Sequence, residues 1–199
     1  MSNPASIMVK STMKYGLYVG VALVSCSVLF YLGFNIDRLG LMQYLGLGFL
    51  FGFAPMVAGI VLSMKYFRDK DNEGFMTYGE GLRFGTQLML FAGIIMATYS
   101  LIFNTMIVPG YDAHVQEMVM EKTIVYLEKA NLPDAEIEQQ VALLETAVDE
   151  ARKTSPLKTA LWSIPQTAMY GFVISLVVAA IFKRKKDPFA QAMNEIKTE

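Results

Sequence analysis

Residues 39–64, LGLMQYLGLGFLFGFAPMVAGIVLSM, form a run of 26 residues without Asp, Glu, Lys or Arg. About 20 apolar residues in a helix are enough to cross a bilayer. Three further runs share this property, namely Tyr15–Phe34, Phe84–Val108 and Thr159–Phe182. Because hydrocarbon offers no water to backbone N–H and C=O groups, each run must pair them internally as an α-helix. The sequence therefore predicts an all-α integral membrane protein with four transmembrane helices.

The composition of the 199-residue chain agrees with this fold class. Hydrophobic residues make up 54%, charged residues only 18%, and the mean hydropathy is +0.38. A typical soluble domain has roughly 25% charged residues. The net charge of −1 gives no basic excess that would indicate a nucleic-acid partner. The single cysteine, Cys26, excludes an internal disulfide and a multi-cysteine metal site.

Lysine and arginine are distributed unevenly around the predicted helices, and such residues are enriched in cytoplasmic loops. Eleven of the 17 lie at one set of helix ends: Lys10, Lys14, Lys65, Arg68, Lys70, Arg83, Lys183, Arg184, Lys185, Lys186 and Lys197. Six lie at the other set: Arg38, Lys122, Lys129, Arg152, Lys153 and Lys158. This asymmetry predicts a protein of the inner (cytoplasmic) membrane with both termini in the cytoplasm.

These assignments divide the chain into five parts. Residues 1–14 form a cytoplasmic arm, and residues 15–108 contain the first three transmembrane helices. Residues 109–156 are acidic and are expected to form an extracytoplasmic helical hairpin between the third and fourth helices. Residues 157–186 contain the fourth helix and a basic stop, and residues 187–199 form a cytoplasmic tail.

The first predicted helix also carries a pattern that precedes lipid-modified cysteines. Residues 23–26 read LVSC, and Lys10 and Lys14 would serve as the basic region before a short apolar segment. The residues after Cys26, SVLFYLGFN, continue the apolar run, whereas a mature lipoprotein continues with a polar tether. A retained transmembrane helix with an unmodified, buried Cys26 is therefore the expected structure.

The long outer segment has the pattern of two amphipathic helices. Ile137, Val141, Leu144 and Val148 recur at helical spacing and form one apolar stripe. A looser stripe precedes it, formed by Val115, either Met118 or Val119, and Tyr126. Between the two helices, Asn131 is placed to cap the second one, with Pro133 in its first turn. Two antiparallel helices packed along these stripes would hide both apolar faces.

Acidic residues are frequent in this hairpin, and they indicate a solvated face, or else a docking surface for a basic partner or for divalent cations. These acidic residues are Asp112, Glu117, Glu121, Glu128, Asp134, Glu136, Glu138, Glu145, Asp149 and Glu150. His114, Glu117 and Glu121 share one helical face, as metal ligands would. Zinc sites require further His or Cys at fixed spacing, and the chain has no other histidine, so no metal site is predicted.

The stretch MTYGEGLRFGTQ, residues 76–87, has glycines at a spacing similar to that of nucleotide-binding loops. That function requires a preceding β-strand, but a charged loop precedes it and an apolar run follows. Thr77 followed three residues later by Glu80 is instead the pattern of a capping box, in which each side chain satisfies a backbone N–H of the other. The stretch predicts the start of a helix at the membrane boundary.

Three of the predicted helices contain pairs of glycines four residues apart, a spacing that permits close helix packing in membranes. The pairs are Gly16 with Gly20, Gly48 with Gly52, and Gly81 with Gly85. These residues predict a tightly packed bundle or contacts between copies of the chain.

The predicted spans contain no ionisable relay of the kind that ion-coupled transporters carry. Polar residues do remain, and four of them are candidates for lining a pore: Gln87, Asn104, Gln166 and Thr167. Motifs for nucleophilic, zinc-dependent or phosphate-binding chemistry are missing from the sequence, so neither an enzyme nor a cofactor is predicted.

Several short motifs resemble those of bacterial membrane proteins grouped as domain of unknown function 4199. KYGLYVG opens the first span, YGEGLRFG opens the third, and YGFVISLVVAAIFKRK closes the fourth after an acidic helical insert. The resemblance extends from about Lys14 to Lys186. It implies a four-span inner-membrane protein with an extracytoplasmic helical insert, and it supplies no activity or catalytic residues.

Three functions compete at this point. We expect a non-enzymatic scaffold or interaction subunit that contacts the lipid bilayer and also a protein partner or a second copy, through the glycine faces and the acidic hairpin. The alternative is a small oligomeric channel or transporter, and a membrane-embedded enzyme ranks third.

Overall fold

The computed structural model describes residues 4–129 and 134–184, excluding the side chains of residues 4, 5, 134, 135 and 151. Within these ranges the chain is helical, apart from turns and one β-bridge between Met76 and Arg184. The helices are α1 (Pro4–Gly33), α2 (Leu41–Asp71), α3 (Tyr78–Ile107), α4 (Tyr111–Lys129), α5 (Asp134–Lys153) and α6 (Pro156–Phe182).

Four of these helices, α1, α2, α3 and α6, are long and apolar enough to cross a membrane. The predicted fold class is therefore confirmed. The proposed helix cap at Asn131 and Pro133 lies outside the described residues.

Helices α2 and α3 contain π-helical turns. One of them, Phe49–Phe53, lies directly before Pro55 in α2. A proline ring clashes with the carbonyl four residues earlier, here that of Phe51, and proline has no N–H to donate. The wider π-helical turn moves this carbonyl away, so α2 continues through the proline. A second π-helical turn, Phe103–Ile107, ends α3.

Helix α1 begins earlier than the sequence predicts. The arm assigned to residues 1–14 is helical from Pro4, a residue whose fixed backbone angle suits the first position of a helix. Thr12 is fully buried, and the hydroxyl of Ser11 donates a hydrogen bond of 2.7 Å to Asp71 at the end of α2. The C-terminal end of the arm is therefore part of the packed structure.

The start of α3 has the geometry of a capping box. The backbone N–H of Thr77 donates to the Glu80 carboxylate at 2.7 Å, and the N–H of Glu80 donates to the Thr77 hydroxyl at 3.2 Å. Each side chain thus satisfies a backbone donor at a helix end, where four N–H groups have no partner within the helix. Both residues stabilise the helix start, and neither is positioned for chemistry by this arrangement.

The chain divides into two compact units. The first unit comprises residues 1–20, 56–93 and 165–199, as far as they are described. Its buried core contains Phe67 and Phe84, whose rings stack with centroids 4.4 Å apart. Other fully buried side chains of this unit are Ile60, Met64, Met76, Leu88 and Met89.

Glycines bring the helices of the first unit close together. A Cβ atom added at Gly16 of α1 would lie 2.7 Å from the Cβ of Phe91 in α3. A Cβ at Gly81 of α3 would lie 2.8 Å from the Cβ of Ala179 in α6. Distances below 3.0 Å leave no room for a methyl group. Gly20 is also buried.

Two closer approaches connect α3 with α6. A Cβ at Gly85 would lie 1.8 Å from the hydroxyl oxygen of Ser175, and a Cβ at Gly171 would lie 2.4 Å from the Cβ of Met89. Gly171 belongs to none of the predicted glycine pairs. The two helices therefore contact each other through glycines on both sides.

The second unit comprises residues 21–55 and 94–164. In it, Gly48 and Gly52 pack against no other helix of the described chain, and contact of their face with a second copy stays a prediction. Among the described residues beyond its own turn of helix, no atom would lie within 4 Å of a Cβ at either position. The spacing of the two glycines shows that they share a face of α2, but no side chain fills the space in front of them. These glycines line a cavity, which is described below.

Helices α4 and α5 of the second unit pack against each other. Met118 of α4 and Val148 of α5 are buried, with 4% and 8% of their surfaces exposed. Arg152 of α5 donates hydrogen bonds of 2.6 and 2.9 Å to one carboxylate oxygen of Glu117 in α4. Three other residues of the predicted apolar stripe are partly buried: Ile137, Val141 and Leu144.

Candidate functional site

The second unit contains a cavity of about 340 Å³ between the end of α1, the start of α2, the end of α3 and the start of α4. This volume is at the lower end of the range of small-molecule sites, roughly 300–1,000 Å³. Gly48 and Gly52 contribute space because they have no side chain. Seven aromatic side chains line the cavity: Phe30, Tyr31, Tyr44, Phe51, Tyr99, Phe103 and Tyr111.

Three of these rings lie at nearly right angles to one another. The planes of Tyr31 and Phe103 meet at 82°, those of Tyr31 and Tyr111 at 85°, and those of Phe103 and Tyr111 at 86°. Their centroids are 5.1 to 5.5 Å apart. Edge-to-face contacts of this kind stabilise aromatic pairs by about 0.5–1.5 kcal/mol beyond simple burial. The cavity wall at this point is therefore rigid and oriented.

Asn104 fixes the junction between α3 and α4. Its amide nitrogen donates to the Ser100 carbonyl at 3.0 Å, and its amide oxygen accepts the backbone N–H of Asp112 at 2.9 Å. This second bond satisfies one of the free donors at the start of α4. Gly110, with φ of +80°, makes the turn between the helices, a conformation that suits glycine.

Burial changes the acid–base properties of two residues at the start of α4. It raises the pKa of the Asp112 carboxyl group above its usual value, and the hydrogen bond with the Asn104 side chain opposes this effect. Burial raises the pKa of Tyr111 to about 12, and the neighbouring tyrosines and Asp112 add to this effect. The Tyr111 hydroxyl is therefore neutral at physiological pH. Among the described residues that line the cavity, Asp112 is the group that carries charge.

A second set of contacts joins α4 to the connection between α1 and α2. The ammonium group of Lys122 donates to the carbonyls of Ile36 and Asp37, each at 3.0 Å, and to the carbonyl of Leu39. The ring of His114 lies 2.9 Å from the Asp37 carboxylate. We call the bonds of Lys122 to these carbonyls the Lys122 contact. The sequence does not indicate it, because the partner residues are about 85 positions away.

The four polar residues proposed to line a pore have different surroundings. Asn104 lines the cavity of the second unit, whereas Gln87, Gln166 and Thr167 belong to the first unit. Gln166 is exposed and donates to the Tyr170 hydroxyl of its own helix at 3.2 Å. The buried amide oxygen of Gln87 has no hydrogen-bond partner among the described residues, and Thr167 is partly buried.

The residues considered as metal ligands are engaged elsewhere. His114 faces Asp37, and Glu117 is bound by Arg152. Glu121 lies near a separate surface groove together with Lys122. The side chains of His114 and Glu117 thus serve contacts within the protein.

The chain matches the family described as Protein of unknown function (DUF4199) over residues 14–184. The chain belongs to the DUF4199 family. The resemblance inferred from the short motifs is thereby confirmed. A comparison of this DUF4199 protein with the curated proteins gives no match, and neither does a comparison with the solved structures. The matched range contains the aromatic cavity and the Lys122 contact.

Proposed function

We propose that this DUF4199 protein is a non-enzymatic interaction subunit of the bacterial inner membrane, with helices α4 and α5 as its contact element. The observation that supports this function is the Lys122 contact, because it holds α4 against the connection between two membrane helices. A contact element held in place loses less conformational entropy when a partner binds than a mobile one does.

The chemistry of α5 indicates the kind of partner. The surface that α5 does not use against α4 is acidic, with exposed Glu136, Glu138, Glu145, Asp149 and Glu150. Leu143, in the middle of the helix, is 59% exposed. Opposite charge gives specificity and faster association at protein interfaces. The proposed partner is therefore a protein with a basic surface and an apolar contact for Leu143.

Cross-linked co-purification from native membranes tests this function. We expect the wild-type chain to capture a partner, and a variant with Glu138→Lys, Glu145→Lys and Asp149→Lys to lose it. The matched control variant carries Lys129→Glu in α4 and Lys153→Glu in α5. It also changes charge on the contact element but makes it more acidic, so it should keep the partner. Equal capture by both variants would contradict the proposal, provided that both accumulate in the membrane as the wild type does.

We further propose that both termini are cytoplasmic and that α4 and α5 lie outside, as the asymmetry of lysine and arginine indicates. In a Cys26→Ser background, a cysteine introduced at the exposed position Glu138 should react with a membrane-impermeant maleimide in intact cells. A cysteine introduced at Lys70 is the control and should react only after permeabilisation. The reverse pattern would overturn this orientation.

The alternative function, a small oligomeric channel or transporter, is favoured by one observation. The buried amide oxygen of Gln87 has no partner among the described residues, and such groups usually find a protein or water partner. Solute flux into vesicles that contain the purified protein separates the two functions. Flux that Gln87→Leu abolishes would favour the channel.

A further inference from the structure

The lining of the aromatic cavity has an unusual combination of groups. Seven aromatic side chains surround the space, and Asp112 lies beside them. Among the described residues that line the cavity, there is no lysine, arginine or histidine that would neutralise this carboxylate. Aromatic faces and carboxylates attract the same kind of ligand, because both present negative charge to the space between them.

We propose that this cavity binds an organic ammonium cation, which contacts the faces of the tyrosine and phenylalanine rings and has Asp112 as its counter-ion. The site is independent of the partner surface on α5. A ligand with alkyl groups on the nitrogen fits best, because its charge is spread over methyl or methylene groups that contact the rings. Recognition of quaternary ammonium groups is the best-known use of cation–π contacts in proteins.

The ring geometry supports a cation more than a flat neutral molecule. Tyr31, Phe103 and Tyr111 all line the cavity with their planes nearly at right angles, so these three rings offer it no pair of parallel faces. A compact, nearly spherical group suits this lining, whereas a planar ligand binds best between parallel rings. The remaining rings of the lining, including Tyr44 and Tyr99, extend the aromatic surface beyond these three rings.

The polar groups support the same ligand class. Both ends of the Asn104 amide are occupied, one by Ser100 and the other by the backbone of Asp112. The Asp112 carboxylate is half-buried, and burial raises its pKa, so the protein around it disfavours its charged form. A bound cation would stabilise that charged form.

The ammonium group could belong to a free solute or to a lipid headgroup. The cavity lies where three membrane helices end and α4 begins, so both sources reach that level. The two sources share the same chemistry.

Choline and its uncharged isostere 3,3-dimethylbutan-1-ol give a direct test with the full-length protein in a non-ionic detergent. Saturation-transfer NMR titrations measure both dissociation constants. We expect choline to bind about tenfold more tightly than the alcohol, the magnitude of a partly desolvated cation–π and ion-pair site. Equal affinity for the two ligands, or no binding of choline, would overturn the proposal without involving any variant.

Two variants then locate the site. Asp112→Asn keeps the backbone bond to Asn104 and removes the charge, and it should weaken choline binding about tenfold while leaving the alcohol unaffected. Tyr99→Leu should weaken choline binding by several-fold, about the value of one ring face. Asp149→Asn and Tyr18→Leu change exposed residues outside the cavity and are the matched controls. Choline binding that is unchanged in Asp112→Asn would place the cation elsewhere and overturn the proposal.

The same titration in lipid nanodiscs distinguishes the sources. If the ligand is a headgroup, choline binds in phosphatidylglycerol nanodiscs and is displaced in phosphatidylcholine nanodiscs. If the ligand is a free solute, choline binds equally in both. Each result supports a cation site and assigns its source, whereas loss of choline binding in both lipids would contradict the site.

Discussion

Replacing Gly85 by alanine is expected to lower the thermal stability of the detergent-solubilised protein more than a glycine-to-alanine substitution at Gly16, Gly81 or Gly171. The new Cβ atom would lie 1.8 Å from the Ser175 hydroxyl oxygen and 2.8 Å from the Ser175 Cβ, both fully buried in α6. Overpacking of a well-packed site usually costs about 1–3 kcal/mol. Membrane helices associate through van der Waals contact rather than through a hydrophobic force, so separation of α3 from α6 is not compensated elsewhere.

A second substitution identifies the cause of this loss. Ser175→Gly removes the side chain that meets the new methyl group, so the Gly85→Ala, Ser175→Gly double variant should recover most of the stability. Gly46→Ala is the matched control, because nothing lies within 4 Å of a Cβ at that position. This variant should be neutral or slightly stabilising, since alanine favours a helix over glycine by about 1 kcal/mol. Melting curves that rank Gly85→Ala with Gly46→Ala would contradict the close approach of α3 and α6.

The contrast between these glycines shows what sequence spacing reveals about helix packing. Spacing by four residues places Gly81 and Gly85 on one face, and likewise Gly48 and Gly52, but it says nothing about what lies opposite that face. Helix α6 lies opposite Gly81 and Gly85, whereas a cavity lies opposite Gly48 and Gly52. The four helices follow from hydrocarbon chemistry within each segment, whereas a helix contact depends on two segments at once.

Gly171 was missed although the sequence contains a signal for it. Thr167, Gly171 and Ser175 are small residues spaced by four, which is the general form of the glycine-pair pattern. Met89 contacts this position from α3, and its flexible side chain gives no pattern of its own. Extended to serine and threonine, the pattern predicts close packing on the face of α6 that carries Gly171.

The aromatic cavity was predictable only in part. Asn104 was singled out as a polar residue within a span, and it does line the cavity. The aromatic residues give no such signal, because tyrosines near helix ends are typical of the aromatic belt at a membrane surface. Whether Tyr31 and Tyr111 face lipid or each other depends on helix rotation, which apolar runs of this kind do not determine.

Replacing Lys122 by methionine is expected to release α4 and α5 from the connection between α1 and α2. Methionine keeps the apolar stem of lysine and removes the ammonium group that donates to Ile36, Asp37 and Leu39. A hydrogen bond of a charged group contributes about 1.5–3 kcal/mol, and these bonds are partly exposed, which places each near the lower value. The carbonyls of residues 36–39 would regain water as partners, so the four membrane helices should stay folded.

Limited proteolysis with an enzyme that cleaves after glutamate measures this release, because neither Lys122→Met nor its control changes a cleavage site. Cleavage within residues 111–153 should become at least about tenfold faster in the variant, since local opening controls such cleavage. Lys129→Met on the same helix changes an exposed lysine and should be cut at the wild-type rate. If cleavage stays slow in Lys122→Met, the packing of α4 and α5 is sufficient to hold them, and the contact element would not depend on its anchor. If cleavage accelerates and partner capture falls with it, the anchored position of α4 is what the partner recognises.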